Sequence, residues 1–113
     1  MDCLFCKIIN KEIPGNIVYE NESVLAFRDI TPRAPTHILI VPKKHISSAM
    51  EIDNTNADVV SEVFIAAAQI AKDEGIAGSG CRIVTNIGKE GGQTVGHLHY
   101  HLIGGRQLNL SFG

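Results

Sequence analysis

Three of the five histidines of this chain fall within one run, His97-Leu98-His99-Tyr100-His101-Leu102-Ile103. Imidazole alternates there with apolar side chains, and that alternation demands an extended backbone. On a strand, successive side chains point to opposite faces, so a period of two gathers the three imidazoles on one face and turns Leu98, Tyr100 and Leu102 toward a core. Half-exposed histidines without a task would produce this pattern only by coincidence, because imidazole is costly packing material.

The rest of the sequence supplies partners for such a strand. Leu4, Phe5, Ile8, Ile9 and Ile13 recur at helical spacing over residues 3–13, and Pro14-Gly15-Asn16 breaks the pattern. Residues 17–19 and 24–27 are β-prone runs joined by the turn-forming 20–23, which predicts a hairpin. Pro32 and Pro35 bracket a non-helical connection, after which residues 37–41 read as a buried, central strand ended by Pro42. A long helix is expected from an N-cap at Asn54 or Thr55 to Glu74, with Val60, Val63, Phe64, Ala67, Ile70 and Ala71 as its apolar stripe and Gly75 as its C-terminal cap. Its small, apolar face can cover a sheet or meet a second copy of the chain. Residues 81–85 and 95–103 complete the strands, with a glycine-rich loop at 88–92 between them. Too few βαβ crossovers are present for a doubly wound sheet, so the expected class is α+β, with an antiparallel sheet of about five strands, one long helix and one short one. At 113 residues this is a single domain, 1–113.

Composition narrows the function classes. Ten Lys and Arg against twelve Asp and Glu give a net charge of −2, with no basic block to follow a phosphate backbone, so polymeric nucleic acid is not an expected partner. No apolar run approaches the roughly 20 residues that cross a bilayer, and no membrane association is expected. The first residues carry neither a basic nor an apolar leader region, which makes the cytoplasm the expected compartment. Three cysteines, Cys3, Cys6 and Cys81, are an odd count that argues against a disulfide framework and leaves metal binding or burial for them.

Two chemistries fit the histidine run. Imidazoles two apart on a strand can share one zinc ion. Alternatively, a neutral imidazole nitrogen can attack phosphorus while its other nitrogen is held by an acceptor. The upstream loop favours the second: Asn86, Gly92, Gln93, Thr94 and Val95 offer an amide, a hydroxyl and backbone N–H groups of the kind a phosphate requires.

The His-x-His-x-His run preceded by Gly91-Gly92-Gln93-Thr94, together with Asp29-Ile30, Ala34-Pro35-Thr36-His37 and Gly104-Gly105-Arg106, resembles the signature of the histidine triad superfamily over residues 3–107. Within it, the chain is similar to the nucleotide-binding branch of nucleoside phosphoramidases. The resemblance implies a homodimer whose sheet continues across the two subunits, and a hydrolase cleaving the P–N bond of purine nucleoside 5′-phosphoramidates. His99 would be the nucleophile and form a nucleotidyl-histidine. His101 would contact the phosphate, and His37 and His97 would handle protons near the leaving group. Asn86, Thr94 and the backbone of residues 92–95 would steady the phosphate, and Asp29 would accept the ribose hydroxyls. Phe5, Ile8, Ile13, Phe27, Ile30 and Leu39 match positions that sandwich the base.

The resemblance further implies a structural zinc ion on Cys3, Cys6, His45 and His97. Two departures stand out: Gly96, where relatives carry a larger residue, and residues 107–113, which lack a tryptophan-containing ending. Three rival readings remain at this stage: a dinucleoside polyphosphate hydrolase, metal-dependent hydrolysis at the triad, and a non-enzymatic, zinc-stabilised module that binds nucleotides or partners.

Overall fold

Strand β3, Thr36–Pro42, is buried at every position, because the apolar run from Ile38 to Pro42 can only be satisfied with a layer on each face. In the computed structural model, which describes residues 3–112, the remaining elements are arranged around it. They are α1 (Leu4–Ile9), β1 (Ile17–Glu20), β2 (Val24–Arg28), a one-turn 3-10 helix (Ala49–Glu51), α2 (Asp58–Asp73), β4 (Cys81–Val84) and β5 (Tyr100–Gly104). The five strands form one antiparallel sheet in the order β1-β2-β3-β5-β4, the α+β class expected from sequence.

Side-chain alternation divides the core into two layers. Val24, Ala26, Ile38, Ile40, Leu98, Tyr100 and Leu102 face α2 and pack on Val63, Ala66, Ala67 and Ile70. Leu25, Phe27, Leu39 and Val41 face the other way and pack on Cys3, Phe5 and Ile8 of the α1 region. Each fully buried Ile or Leu contributes about 1.5–3 kcal/mol through apolar burial, so the α2 face, with the larger cluster, anchors the fold. The α1 face is thinner, and the candidate site opens there.

The helix C-terminus behaves as expected. Gly75 adopts φ +74°, its N–H reaches the Lys72 carbonyl at 3.1 Å and the N–H of Ile76 reaches Ala71 at 2.9 Å, the paired bonds of a Schellman motif. Among the described residues, no helix is long and apolar enough to cross a membrane.

Four expectations need correction. The last strand starts at Tyr100 rather than residue 95. Pairing stops because β3 ends at Pro42, which has no N–H to offer; the Leu98 N–H instead reaches Ile46 at 2.6 Å, and the side chain of His97 bonds the Pro42 carbonyl at 2.8 Å. The inward alternation of Leu98, Tyr100 and Leu102 persists, although His97 and His99 precede the ladder. Neither Asn54 nor Thr55 caps α2, which begins at Asp58 without a side-chain cap. The Asp53 carboxylate accepts the Thr55 N–H at 2.8 Å, and Asn56 accepts the Asp53 N–H at 2.8 Å. These local bonds compete with helix formation. In the stripe of α2, Phe64 is 47% exposed and Ala66 is buried in its place. Finally, α1 stops at Ile9, and Lys11 takes φ +63°, so Ile13 lies beyond the helix.

Candidate active site and metal centre

The α1 face of the sheet carries a cavity of about 650 Å³ lined mostly by apolar side chains, within the range of small-molecule sites. Phe5, Ile8, Ile13, Phe27, Ile30 and Leu39 line it, as do Asp29, Thr94, Val95, His99 and His101. Ile30 is 98% exposed at its rim, an apolar side chain that a bound ring would cover.

His99 sits at one end, 4% exposed. Its Nδ1 lies 2.7 Å from the His97 carbonyl. A carbonyl can only accept, so Nδ1 carries the proton and Nε2 keeps a free lone pair. The Phe5 ring meets His99 edge-on at 5.0 Å, and the His101 ring lies 5.2 Å away.

The tautomer of His101 follows from a chain of contacts. The Arg33 N–H donates to His37 Nδ1 at 3.1 Å, which places the His37 proton on Nε2. That N–H is 2.9 Å from His101 Nδ1 and 3.4 Å from the Asp29 carboxylate. His101 Nδ1 therefore accepts, and its proton resides on Nε2. Burial pushes the His37 pKa down, with Asp29 opposing. Burial, then the neighbouring His99 and His37, push His101 down to about 4. Both rings are neutral near pH 7, so the Asp29 contact is a hydrogen bond and not an ion pair. An imidazole whose Nδ1 is held by a carbonyl thus stands beside a neutral ring carrying an N–H.

Asp29 accepts the Thr31 N–H at 2.8 Å through Oδ1 and keeps further lone pairs at the cavity wall. Asp29, His37 and His101 also bring three donor atoms close together. The Arg33 N–H argues against a metal there, because freeing His37 Nε2 would move its proton to Nδ1, directly against another donor.

A second cluster lies behind His99. Cys3 Sγ is 3.3 Å from His97 Nδ1, Cys6 Sγ is 3.3 Å from His45 Nδ1 and 3.6 Å from His97 Nδ1, and the two imidazole Nδ1 atoms are 3.1 Å apart. Tetrahedral zinc with Zn–S of about 2.3 Å and Zn–N of about 2.0–2.1 Å needs S···N edges of about 3.6 Å and N···N edges of about 3.3 Å. The His97 Nε2–H donates to Pro42, which leaves Nδ1 as a lone pair aimed into the cluster, the orientation a metal-binding imidazole requires. These four residues fit a zinc ion. Desolvation, followed by the hydrogen bond and charge of Cys3, pushes the Cys6 thiol up to about 11, so metal binding would release protons. Cys81 stands apart, exposed on β4.

Several sequence expectations are redistributed. His97 is fully buried and does not line the cavity: its Nε2 donates to the Pro42 carbonyl and its Nδ1 lies against the two sulfurs. His37 acts from behind His101 and does not line the cavity. Asn86 donates to the Gly91 carbonyl at 2.7 Å. Gln93 donates to Ser47 and Val95 at 2.7 and 3.0 Å and accepts from Gly88 at 3.0 Å. These two amides brace the loop, and neither they nor Gly92 line the cavity. Leu4, Pro14, Gly15, Asn16, Arg28 and Thr31 also line it, none of them a site residue on sequence grounds. The break at 14–16 was legible as a turn, but nothing local signalled that it would close a wall.

Comparison with known proteins adds independent observations. A family model described as HIT domain matches residues 10–108. A purine nucleoside phosphoramidase of Escherichia coli strain K12 is 46% identical over 107 residues, covering 95% of this chain and 90% of that protein. A 14 kDa zinc-binding protein of Brassica juncea is 47% identical over 110 residues, covering 96% of each. Among solved structures, a HIT family hydrolase from Clostridium thermocellum superposes with TM-score 0.96 at 49% identity, covering 98% of this chain and 96% of that one.

Proposed function

The chain belongs to the HIT domain family, and on that premise we propose that it is a nucleotide hydrolase cleaving the P–N bond of purine nucleoside 5′-phosphoramidates. The observation that carries this reading is the pairing of His99, whose Nε2 lone pair is fixed by the His97 carbonyl, with the neutral N–H of His101 at one end of an apolar cavity.

In the proposed reaction the base lies between Phe5, Ile8, Phe27, Leu39 and the exposed Ile30. Asp29 accepts the ribose hydroxyls. His99 Nε2 attacks the α-phosphorus, the P–N bond breaks, and the departing nitrogen takes a proton from solvent water and leaves as an amine. The His101 N–H hydrogen-bonds the phosphoryl group. Water then attacks the same phosphorus and gives one proton back to solvent, the His99–phosphorus bond breaks, and the nucleoside monophosphate leaves with His99 returned to its starting form. Splitting one displacement into two replaces a slow attack by water with attack by a better nucleophile. Zinc on Cys3, Cys6, His45 and His97 would supply structural cross-linking only.

The E. coli relative's name as a purine nucleoside phosphoramidase supports the P–N substrate. The test compares kcat/KM for an adenosine 5′-phosphoramidate and a diadenosine polyphosphate. At least about tenfold preference for the phosphoramidate is expected, equivalent to about 1.4 kcal/mol of differential transition-state stabilisation. The opposite preference would make the chain a dinucleoside polyphosphate hydrolase.

The homodimer implied by the resemblance is also part of this proposal. Strand β4 is an edge of the sheet, an invitation to further pairing, and Phe64 and Ile65 of α2 are 47% and 60% exposed. Sedimentation should give about twice the chain mass of 12.2 kDa, and a single-chain mass at micromolar concentration would refute the dimer.

A further inference from the structure

We infer that the metal cluster and the nucleotide cavity are energetically coupled through Phe5 and His97, so that metal occupancy sets nucleotide affinity and nucleotide occupancy sets metal affinity by the same factor. This rests on the nucleotide reading of the cavity proposed above.

Two connections carry it. The first is α1. Cys3 caps that helix, its Sγ accepting the Cys6 N–H at 3.3 Å, and Cys6 lies within it. Phe5, between them, meets His97 edge-on at 6.0 Å, His99 at 5.0 Å and Phe27 at 5.5 Å while lining the cavity beside Leu4 and Ile8. A helix of six residues does not stand by itself, so whatever fixes the two sulfurs also fixes the cavity wall. The second connection is His97. Its imidazole is held between the Pro42 carbonyl and the cluster, and its own carbonyl accepts the hydrogen bond from the His99 Nδ1–H at 2.7 Å. Restraint of that side chain is restraint of the acceptor that sets the His99 tautomer.

His101 and Asp29 have their own supports. His101 is held by His37, and His37 by the Arg33 N–H, with no group shared with the cluster. The coupling therefore acts on the apolar wall and on His99, and leaves Asp29 and His101 in place.

The test reads binding. Zinc affinity is measured by competition with a chromophoric chelator, without and with saturating AMP, and AMP affinity is measured by calorimetry on zinc-loaded and metal-free protein. AMP should tighten zinc about tenfold, and removal of zinc should weaken AMP by the same factor. Because Phe5 lines the cavity, AMP should bind Phe5→Leu more weakly with and without zinc, but the ring shared by the two imidazoles is gone, and the ratio of the two AMP affinities should fall from about tenfold to about threefold, the remainder passing through His97. Phe5→Met takes its place should Phe5→Leu not fold. Coupling that merely reflected unfolding of the metal-free chain would survive either change, and its survival would overturn the inference. A wild-type coupling factor of one would overturn it while the nucleotide reading stands. Failure of AMP to bind zinc-loaded protein would overturn that reading, and the inference with it.

Discussion

Replacing His99 by Ala should lower kcat on an adenosine 5′-phosphoramidate by at least about a thousandfold while AMP affinity changes by no more than a few fold. The asymmetry follows from the geometry. The apolar wall and Asp29, which would carry most of the ground-state affinity, are held mainly by other contacts, Phe5 by Phe27 and the α1 cluster and Asp29 by the Thr31 N–H, whereas the proposed new bond to phosphorus forms at the His99 Nε2. The ring is 4% exposed and packs on Phe5 at 5.0 Å, so the substitution also leaves a small void, and circular dichroism should accompany the kinetics. The direct readout is chemical. Wild-type protein mixed with substrate and quenched in base, where a phosphorus–imidazole bond survives, should carry an adenylyl group on His99. His99→Ala should carry none. Adenylation of His101 instead would exchange the two roles, and full turnover by His99→Ala would end the covalent mechanism.

Legibility in the sequence tracked the range of the interactions. The alternation along residues 97–103 correctly separated Leu98, Tyr100 and Leu102 from the histidines, because side-chain direction is a local property of extended chain. Where the ladder begins was not readable, because it depends on Pro42 ending β3 and on Ile46 taking the Leu98 N–H. The tautomers of His99 and His101 were likewise hidden. One is set by the His97 carbonyl and the other by the Arg33 N–H acting through His37, and backbone groups leave no mark in composition. Gln93 and Asn86 illustrate the converse, since amides near a glycine-rich loop serve a phosphate or the loop itself equally well, and only their partners decide. At α2, good capping residues were present but bound one another first. His97 stood in the sequence for two tasks, and the three-dimensional contacts of its Nδ1 are with the cysteine cluster, a placement that no local pattern announces.

Cys3→Ala should lower the melting temperature of zinc-loaded protein by about 8–16 °C, yet leave chelator-treated protein within about 5 °C of chelator-treated wild type. The figures follow from a loss of about 2–4 kcal/mol of metal cross-linking, at about 4 °C per kcal/mol for a domain of this size. Removing one buried sulfur without metal costs about 1 kcal/mol. The effect stops short of the complete unfolding seen when metal is the only core, because the larger hydrophobic cluster, from Val24 to Leu102 under α2, contains neither cysteine. The smaller cluster does include Cys3, together with Phe5, Ile8, Leu25, Phe27, Leu39 and Val41, and it should loosen first. Hydrogen exchange should accordingly show lost protection in α1 before β3 and β5. Equal destabilisation with and without chelator would mean that Cys3 contributes only packing and its backbone hydrogen bond, and that the four-donor cluster does not hold zinc under those conditions.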